Sequence, residues 1–416
     1  MNILVTGGFG LVGHSLKELI ETSCQNDEVY TTIPEIQTKN NVCIRWIFVG
    51  QKDGDLRKMN DARSVFERTR PNIVVHLAAR VGGLFANSAD NIGFFEDNVD
   101  INNNVYRLCR EFKVRKCVSC LSTCIFPDKT SYPIDETMLH NGIPHHSNLG
   151  YSWAKRSVDI MNRVYSTSAT LFTSVIPTNL YGKHDNFDVN KSHVIPSLLK
   201  KCYDAKQTNT PFVVFGSGKA LRQFMYSKDL AKLLVWVVEE YEEKEGIILS
   251  VDPEDEVSIG DVARLIAKCM DFKGEIVFDT TKSDGQYKKT ANNSKLRTYK
   301  KDYMFVGLEE GIKETCEWYI SSSKSSPEII PVIQPVLTCQ LCQSVMSVHN
   351  SYLCNECTDK LCPSTNEHSK TSSSSNIIIN GINGTIYVKR YYRLTDNNYH
   401  LYSSQSEFIP NDDWQY

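Results

Sequence analysis

Tyr151 and Lys155 stand four residues apart in Tyr151-Ser152-Trp153-Ala154-Lys155, a tyrosine–lysine spacing that occurs once in the chain, with Ser122-Thr123-Cys124 upstream. On a helix, residues i and i+4 share a face. The ammonium of Lys155 would then lie beside the phenol of Tyr151, favour the phenolate and lower the phenol pKa from its usual ~10. Such a phenol exchanges protons with a sugar or alcohol oxygen near neutral pH. Composition alone supplies on the order of one such pair in a chain this long. The pair therefore equally describes an amphipathic helix with one solvated lysine, and its surroundings decide.

Ser122 and Cys124 follow the apolar run Lys116–Leu121, which reads as a strand. In an open α/β sheet, ligands bind outside the carboxyl ends of the strands. Ser122 would hydrogen-bond a carbonyl oxygen alongside Tyr151. A Cys124 thiolate would serve as a base toward a carbon acid, although a lone cysteine is more often a small buried hydrophobe. His184 follows another apolar run, Leu171–Ile176, and is a candidate general acid. A lone histidine is more often structural, so its weight comes from its company.

The cofactor side starts at the first strand. Gly7, Gly8, Phe9, Gly10, Leu11, Val12 and Gly13 follow Ile3–Thr6 and open a helix, with Gly7, Gly10 and Gly13 spaced G-x-x-G-x-x-G. Glycine lets the backbone approach a pyrophosphate, and the helix N-terminus supplies free N–H groups. A glycine turn alone is weak evidence; its place between strand and helix makes a dinucleotide site the better reading. No acid stands directly after the second strand, Ile44–Val49. Lys52 is available there for the 2′-phosphate of NADP, the alternative being a solvated loop lysine. His76-Leu77-Ala78-Ala79 closes the strand Ile73–Leu77, and its small residues would let a cofactor cross the strand end or simply pack tightly.

These positions need strands alternating with helices. Helical periodicity covers Leu11–Ser23, Asp61–Arg68, Val99–Phe112 and Ser152–Tyr165 between the strands. The alternation predicts an α/β fold with a Rossmann-type doubly wound parallel sheet over residues 1–186, with about 222–250 packing back onto it. Residues 22–43 are a polar excursion. Mixed elements over 187–320 predict a smaller α/β substrate lobe: helices Ile195–Ala205 and Asp229–Glu243, strand Phe212–Phe215, and a helix within Val257–Met270 with Ser258 as a possible N-cap.

The composition, 41% hydrophobic and 23% charged with a net charge of −3, is that of an ordinary globular protein without a nucleic-acid-type basic excess. No apolar run approaches the ~18 residues of a membrane span, and an apolar strand beginning at residue 3 leaves no room for a signal peptide. Nine of the 14 cysteines are scattered before residue 320 and five crowd into 339–362, which suits a reducing, cytoplasmic location. A serine-rich linker is expected at 321–335, before an appendage at 336–416. There Cys339, Cys342, Cys354 and Cys357 have the C-x-x-C…C-x-x-C spacing of a structural zinc ribbon, against a metal-free decayed module. Ile377–Ile379 and Ile386–Val388 would pair as a hairpin, with the basic-aromatic run Lys389–Arg393 on one side rather than as a nucleic-acid surface. The partner of this tail is unknown.

Long strings carry a more specific signal: ILVTGG-GLVG, HLAA-VGGLF-N, VSCLSTCIFPDKT, IPTN-YG-HDNF, DEVSI and FDTTKSDGQ-KKTA. Through them residues 1–320 closely resemble the GDP-L-fucose synthases, the GDP-4-keto-6-deoxy-D-mannose 3,5-epimerase/4-reductases among the extended short-chain dehydrogenase/reductases. The resemblance implies NADP(H) as cofactor, a GDP-sugar substrate and a homodimer formed through helices at about Val99–Phe112 and Ser152–Tyr165. It implies Tyr151 as proton donor to O4, Lys155 on the nicotinamide ribose, Ser122 orienting the carbonyl, and Cys124 and His184 as epimerase base and acid. The cofactor set becomes the glycine turn, Lys52, Asp55, Ala78, Lys155, Pro177, Thr178, Asn179, Leu180 and His184. The substrate set becomes Ser192, Phe215, Arg222 and Asp284, with Phe215 standing where the family commonly has tryptophan. The rival readings are another nucleotide-sugar epimerase or dehydratase of the superfamily, and a non-catalytic dinucleotide-binding scaffold.

Overall fold

A computed structural model describes residues 1–25, 36–37, 43–189 and 191–325, and the strands within 372–410. The chain divides into two compact units, Met1–Ser323 and Lys324–Trp414. In the first unit the chain runs β1 (Asn2–Thr6), α1 (Leu11–Gln25), β2 (Ile36–Gln37), β3 (Cys43–Val49), α2 (Met59–Thr69), β4 (Ile73–His76), α3 (Leu84–Ala89), α4 (Asn91–Glu111), β5 (Lys116–Cys120), α5 (Leu149–Tyr165), β6 (Leu171–Pro177) and β7 (Asn179–Tyr181). It continues through α6 (Val194–Thr208), β8 (Phe212–Phe215), β9 (Leu221–Arg222), β10 (Phe224–Tyr226), α7 (Ser227–Glu240), β11 (Ile247–Leu249), β12 (Val257–Ser258), α8 (Ile259–Cys269), β13 (Ile276–Asp279), α9 (Ser294–Tyr299) and α10 (Leu308–Ser325).

Seven strands form one sheet in the order β11-β6-β5-β4-β1-β3-β2. All neighbours run parallel except β2, which pairs antiparallel with β3 at the edge. The strands read as unbroken apolar runs because both faces are covered. Leu4 and Val74 turn to one face, with Phe66, Ile101, Tyr106 and Val158 from α2, α4 and α5. Ile3, Val5, Ile73 and Val75 turn to the other, under Leu16 of α1 and Leu230 to Val238 of α7. This period-two division is the pleat itself.

The second lobe has its own core. Ile195 and Leu199 of α6, Phe212 and Val214 of β8, Val262 and Ile266 of α8, and Ile312 and Cys316 of α10 pack together. Three two-stranded ladders, β7–β10, β8–β13 and β9–β12, stand apart from the main sheet, and β8–β13 belongs to this second core. Ser258 caps α8 as expected, its Oγ accepting the Asp261 N–H at 3.0 Å.

Several boundaries shift. Helix α4 begins at Asn91, a full two turns before the expected Val99, because Asp90 caps it by accepting the Gly93 N–H at 3.0 Å. Helix α10 runs through the first residues of the expected linker, where Ser321 and Ser322 donate back to carbonyls of the preceding turn. In the second unit, β14 (Ser372–Gly381) pairs with β15 (Gly384–Thr395) in the expected register, Ile377 opposite Val388 and Ile379 opposite Ile386. A third strand, β16 (Asn398–Pro410), makes β15 central, so Lys389–Arg393 lies in mid-sheet. Cys339, Cys342, Cys354 and Cys357 lie outside the described residues, as does most of the 22–43 excursion. No helix among the described residues is long and apolar enough to cross a membrane.

Ser258→Ala should cost about 1 kcal/mol of stability through the lost cap, read as a lower urea midpoint with unchanged slope. An unchanged midpoint would show that α8 does not need the cap.

Candidate active site

The glycine turn is built to let a ligand close. Gly7 has a φ of +69°, and the Gly10 N–H donates to the Gly7 carbonyl at 3.1 Å. A Cβ on Gly13 would lie 2.5 Å from the Gly8 carbonyl oxygen. Helix α1 starts immediately after the turn and carries no acid in its first turn, leaving its N-terminus positive. Leu11 and Val12 lie in that turn, and exposed Phe9 lies against Gly50 at the end of β3.

The acids beyond β3 are committed elsewhere. The Asp53 carboxylate accepts the Gly50 N–H at 2.9 Å. Asp55 accepts Arg57 Nε at 2.9 Å and Nη2 at 2.8 Å, and this guanidinium holds its carboxyl below the usual range. Lys52 is exposed on the same turn. A 2′-phosphate fits this edge better than a 2′-hydroxyl that needs a free carboxylate.

A buried chain of hydrogen bonds joins this cradle to α5. The Ala78 N–H donates to Thr6 Oγ1 at 3.3 Å, and Thr6 Oγ1 meets His76 Nδ1 at 2.8 Å. His76 Nε2 meets Asn102 Oδ1 at 3.1 Å, and Asn102 Nδ2 donates to the Ala154 carbonyl at 3.2 Å. The last bond orients the Asn102 amide, so His76 must donate from Nε2 and accept at Nδ1. Burial, aided by the Lys155 charge, pushes the His76 pKa down to about 3 and keeps the ring neutral.

Ser122 lies two residues past β5 and accepts the Cys124 N–H at 3.4 Å, opening the short helical turn that carries Cys124. Lys155 is buried and donates to the Cys120 carbonyl at 2.9 Å. Half-buried Tyr151 sets its ring edge-on to Phe94. One expectation fails here. The phenol pKa of Tyr151 is raised, not lowered: burial dominates, and the Cys124 and Cys120 sulfurs add to it. Burial likewise lowers Lys155. The pair shares a helix, but the ammonium is spent on the Cys120 carbonyl and burial keeps the proton on the phenol. The Cys124 sulfur acts electrostatically on both Tyr151 and Lys155, and α5 is tied to the strand end and the Cys124 turn by Lys155 on the Cys120 carbonyl and Arg156 on the Ile125 carbonyl.

His184 is placed differently from the expectation. It has a φ of +62°, its Nε2 meets Glu18 Oε1 at 2.9 Å, and its ring stacks on His14 at 4.3 Å and tilts against Trp318. Those partners belong to α1 and α10. A second histidine, His193, stands at the N-cap position of α6 without a side-chain capping bond. The neighbouring Lys191 carbonyl accepts the Gly83 N–H at 2.9 Å. The segment from Gly83 reaches the first turn of α5, where Asn91 Oδ1 accepts the Gly150 N–H at 3.1 Å. The His193 ring is open to solvent yet enclosed enough that desolvation lowers its pKa. Beside it, Ser192 Oγ is buried without a partner.

At the end of β6, Pro177 leads to Thr178, whose hydroxyl is buried and unpartnered. Asn179 spends its amide on the Gln223 carbonyl at 2.9 Å, and Leu180 pairs with Met225. In the second lobe, Arg222 donates to the Gln286 carbonyl at 2.6 Å, and Asp284 accepts both the Ser217 N–H and its hydroxyl. Phe215 is exposed, with Lys201 Nζ 3.0 Å above its ring centre. Burial pushes Lys201 down to about 8.

Residues 3–251 match the model of the NAD dependent epimerase/dehydratase family. The chain belongs to that family. It is 50% identical over 325 residues to the GDP-L-fucose synthase of Dictyostelium discoideum, covering 78% of this chain and 97% of that protein. It is 30% identical over 332 residues to the GDP-L-fucose synthase of Escherichia coli, covering 77% and 97%. The crystal structure of a GDP-L-fucose synthetase from Naegleria fowleri bound to NADP superposes with a TM-score of 0.69 at 45% identity, covering 78% of this chain and 95% of that one.

Sequence reasoning passed over three titratable residues that stand beside expected ones. His193 lay one residue from Ser192, Lys201 lay on a recognised helix, and Lys289 lay inside the quoted KKTA string. Lys289 interacts with Cys124, Arg222 and Asp128, and burial pushes its pKa down to about 8. A lysine is cationic below its pKa and neutral above it. Affinity for an anion bound beside these two lysines should therefore fall as pH rises through about 8. Lys289→Gln and Lys201→Gln should each weaken that dependence in calorimetry; a wild-type pH profile in both variants would exclude these lysines.

Proposed function

We propose that this chain is a GDP-L-fucose synthase, which epimerises GDP-4-keto-6-deoxy-D-mannose at C3 and C5 and then reduces C4 with NADPH. The observation that carries the reading is the tethering of the Cys124 turn to the helix of Tyr151 and Lys155: Lys155 donates to the Cys120 carbonyl, Arg156 to the Ile125 carbonyl, and Tyr151 packs against the cluster that holds Cys124. A plain reductase needs only the tyrosine, lysine and serine. Epimerisation also needs a base and an acid, because the C4 ketone acidifies the C–H bonds on either side of it.

Bound NADPH supplies the hydride for C4. The glycine turn and the α1 N-terminus would hold its pyrophosphate, Lys52 would take its 2′-phosphate, and Ala78 and Pro177 to Leu180 would line its path. Tyr151 gives its proton to O4, a task that a phenol of raised pKa suits, since it stays protonated until the oxyanion forms. Ser122 donates to the same oxygen, and Lys155 holds the ribose and the charge. Cys124 removes the C3 and C5 protons. His193, rather than His184, returns a proton on the opposite face. What supports this choice is the link from its segment through Gly83 and Asn91 to the first turn of α5, while Glu18 and His14 hold His184. Phe215, Lys201, Arg222, Asp284 and Lys289 take the GDP moiety, and Ser192 the sugar.

Stoichiometric loss of NADPH on adding the 4-keto sugar, with GDP-L-fucose as product, is the expected result. Tyr151→Phe should slow reduction by at least about 100-fold while solvent-proton exchange at C3 and C5 continues. Cys124→Ala and His193→Asn should suppress exchange, and His184→Asn should leave it. Equal loss of exchange and reduction in the tyrosine and cysteine variants would sink the division of labour.

The enzyme also acts as a homodimer in this reading. Phe95 of α4 and Trp153, Ile160 and Val164 of α5 are exposed, the last at 72%. The α5 residues recur at helical spacing and form one apolar stripe. Ile160→Asp with Val164→Asp should convert a dimer to a monomer in sedimentation velocity; an unchanged mass would place the contact elsewhere.

A further inference from the structure

The residue after Lys155 points to a different part of the site. One step along a helix turns by about 100°, and Arg156 accordingly runs beneath the turn that carries Cys124. It is 3% exposed. Its Nε donates to the Ile125 carbonyl at 2.6 Å and its Nη1 to the Gly142 carbonyl at 2.6 Å. Its Nη2 is buried with no protein partner, and the Trp153 ring covers the guanidinium at 4.9 Å. A buried cation is costly unless an opposite charge meets it. Two neutral carbonyls do not require a full positive charge, and the group that opposes the burial of this one is the Cys124 sulfur.

Tyr151, Lys155 and Arg156 face Cys124 from α5, and Lys289 faces it from the loop before α9, where Arg222 and Asp128 act on that lysine. The Lys155 ammonium is committed to the Cys120 carbonyl. Lys289 loses its charge near pH 8. A guanidinium keeps its charge across the working range.

We propose that Arg156 is a positioning residue for Cys124: it holds the thiol-bearing turn by the Ile125 carbonyl and presents a buried, un-neutralised cation that stabilises the thiolate form before substrate arrives. The inference rests on the reading of Cys124 as the epimerase base, which takes a substrate C–H proton onto sulfur and leaves an enolate.

The test is an ultraviolet titration of the Cys124 thiolate, taken as the difference from Cys124→Ala, together with solvent-deuterium exchange at C3 and C5. In Arg156→Met the thiolate should appear at higher pH, and exchange at neutral pH should slow by about tenfold, the yield lost for one unit of thiolate titration. NADPH binding should be unchanged. Arg156→Lys, which keeps the charge, should restore the titration. A wild-type titration in Arg156→Met, or an Arg156→Lys variant as impaired as Met, overturns the proposal. If Arg156→Met does not fold, Arg156→Gln keeps a donor without a charge. A shifted titration in it supports the proposal, and a wild-type one overturns it. If Cys124→Ala retains exchange, the reading of Cys124 falls and this inference with it. If Cys124→Ala abolishes exchange while the uncharged variants keep it, only the role of Arg156 falls.

Discussion

A run of hydrogen bonds from Ala78 through Thr6, His76 and Asn102 to the Ala154 carbonyl sets the frame on which the site depends. Each member is buried, so each must find a partner; leaving one unsatisfied costs about 1–3 kcal/mol. The run closes only with a neutral imidazole in one tautomer. It also closes only in one placement of α5, since a one-residue slip would move the helix by about 1.5 Å and turn it by about 100°. The carboxyl ends of β1 and β4 and the helix bearing Tyr151 and Lys155 are thus held in one arrangement. The glycine turn's strand and the helix of Tyr151 and Lys155 share a single polar spine.

Desolvation governs the electrostatics around that spine. The second lobe and the helices exclude water from the sheet edge, so burial raises Tyr151 and lowers Lys155 and Lys289. Proximity of a lysine to a tyrosine is therefore not sufficient to make a phenolate. Burial favours the neutral forms of both, and the ammonium finds a carbonyl instead. For a reductase this is the useful state, because the step at O4 consumes a proton.

Much of the fold is legible in the chain. Ile3–Thr6, Ile73–Leu77 and Lys116–Leu121 are found as strands within a residue, because a parallel sheet covered on both faces requires continuous apolar runs. Where the pattern weakens, reading fails. The first turns of α4 carry the exposed Ile92 and Phe95, so periodicity against the core is faint there and only the Asp90 cap marks the start. The ladders β9–β12 and β7–β10 are two or three residues long, too short for alternation to register. Helix α10 runs on through serines that return their hydroxyls to the backbone, a local bond that composition reads as a linker.

The sequence by itself determined the doubly wound sheet, the glycine turn, the placing of Ser122 and Cys124 just past a strand end and of Tyr151 and Lys155 on one helix. Those follow from local periodicity, from the turn chemistry of glycine and from the rule that strand ends carry ligands. The tertiary structure alone decided which histidine stands where, since His184 and His193 are nine residues apart in one loop region yet meet different helices. It alone brought Lys289 and Arg156 to Cys124, and it alone reversed the expected shift of Tyr151. Spacing along a chain encodes which side chains share a face. Which distant group lies opposite that face, and how much water is left between them, emerges only when the lobes close.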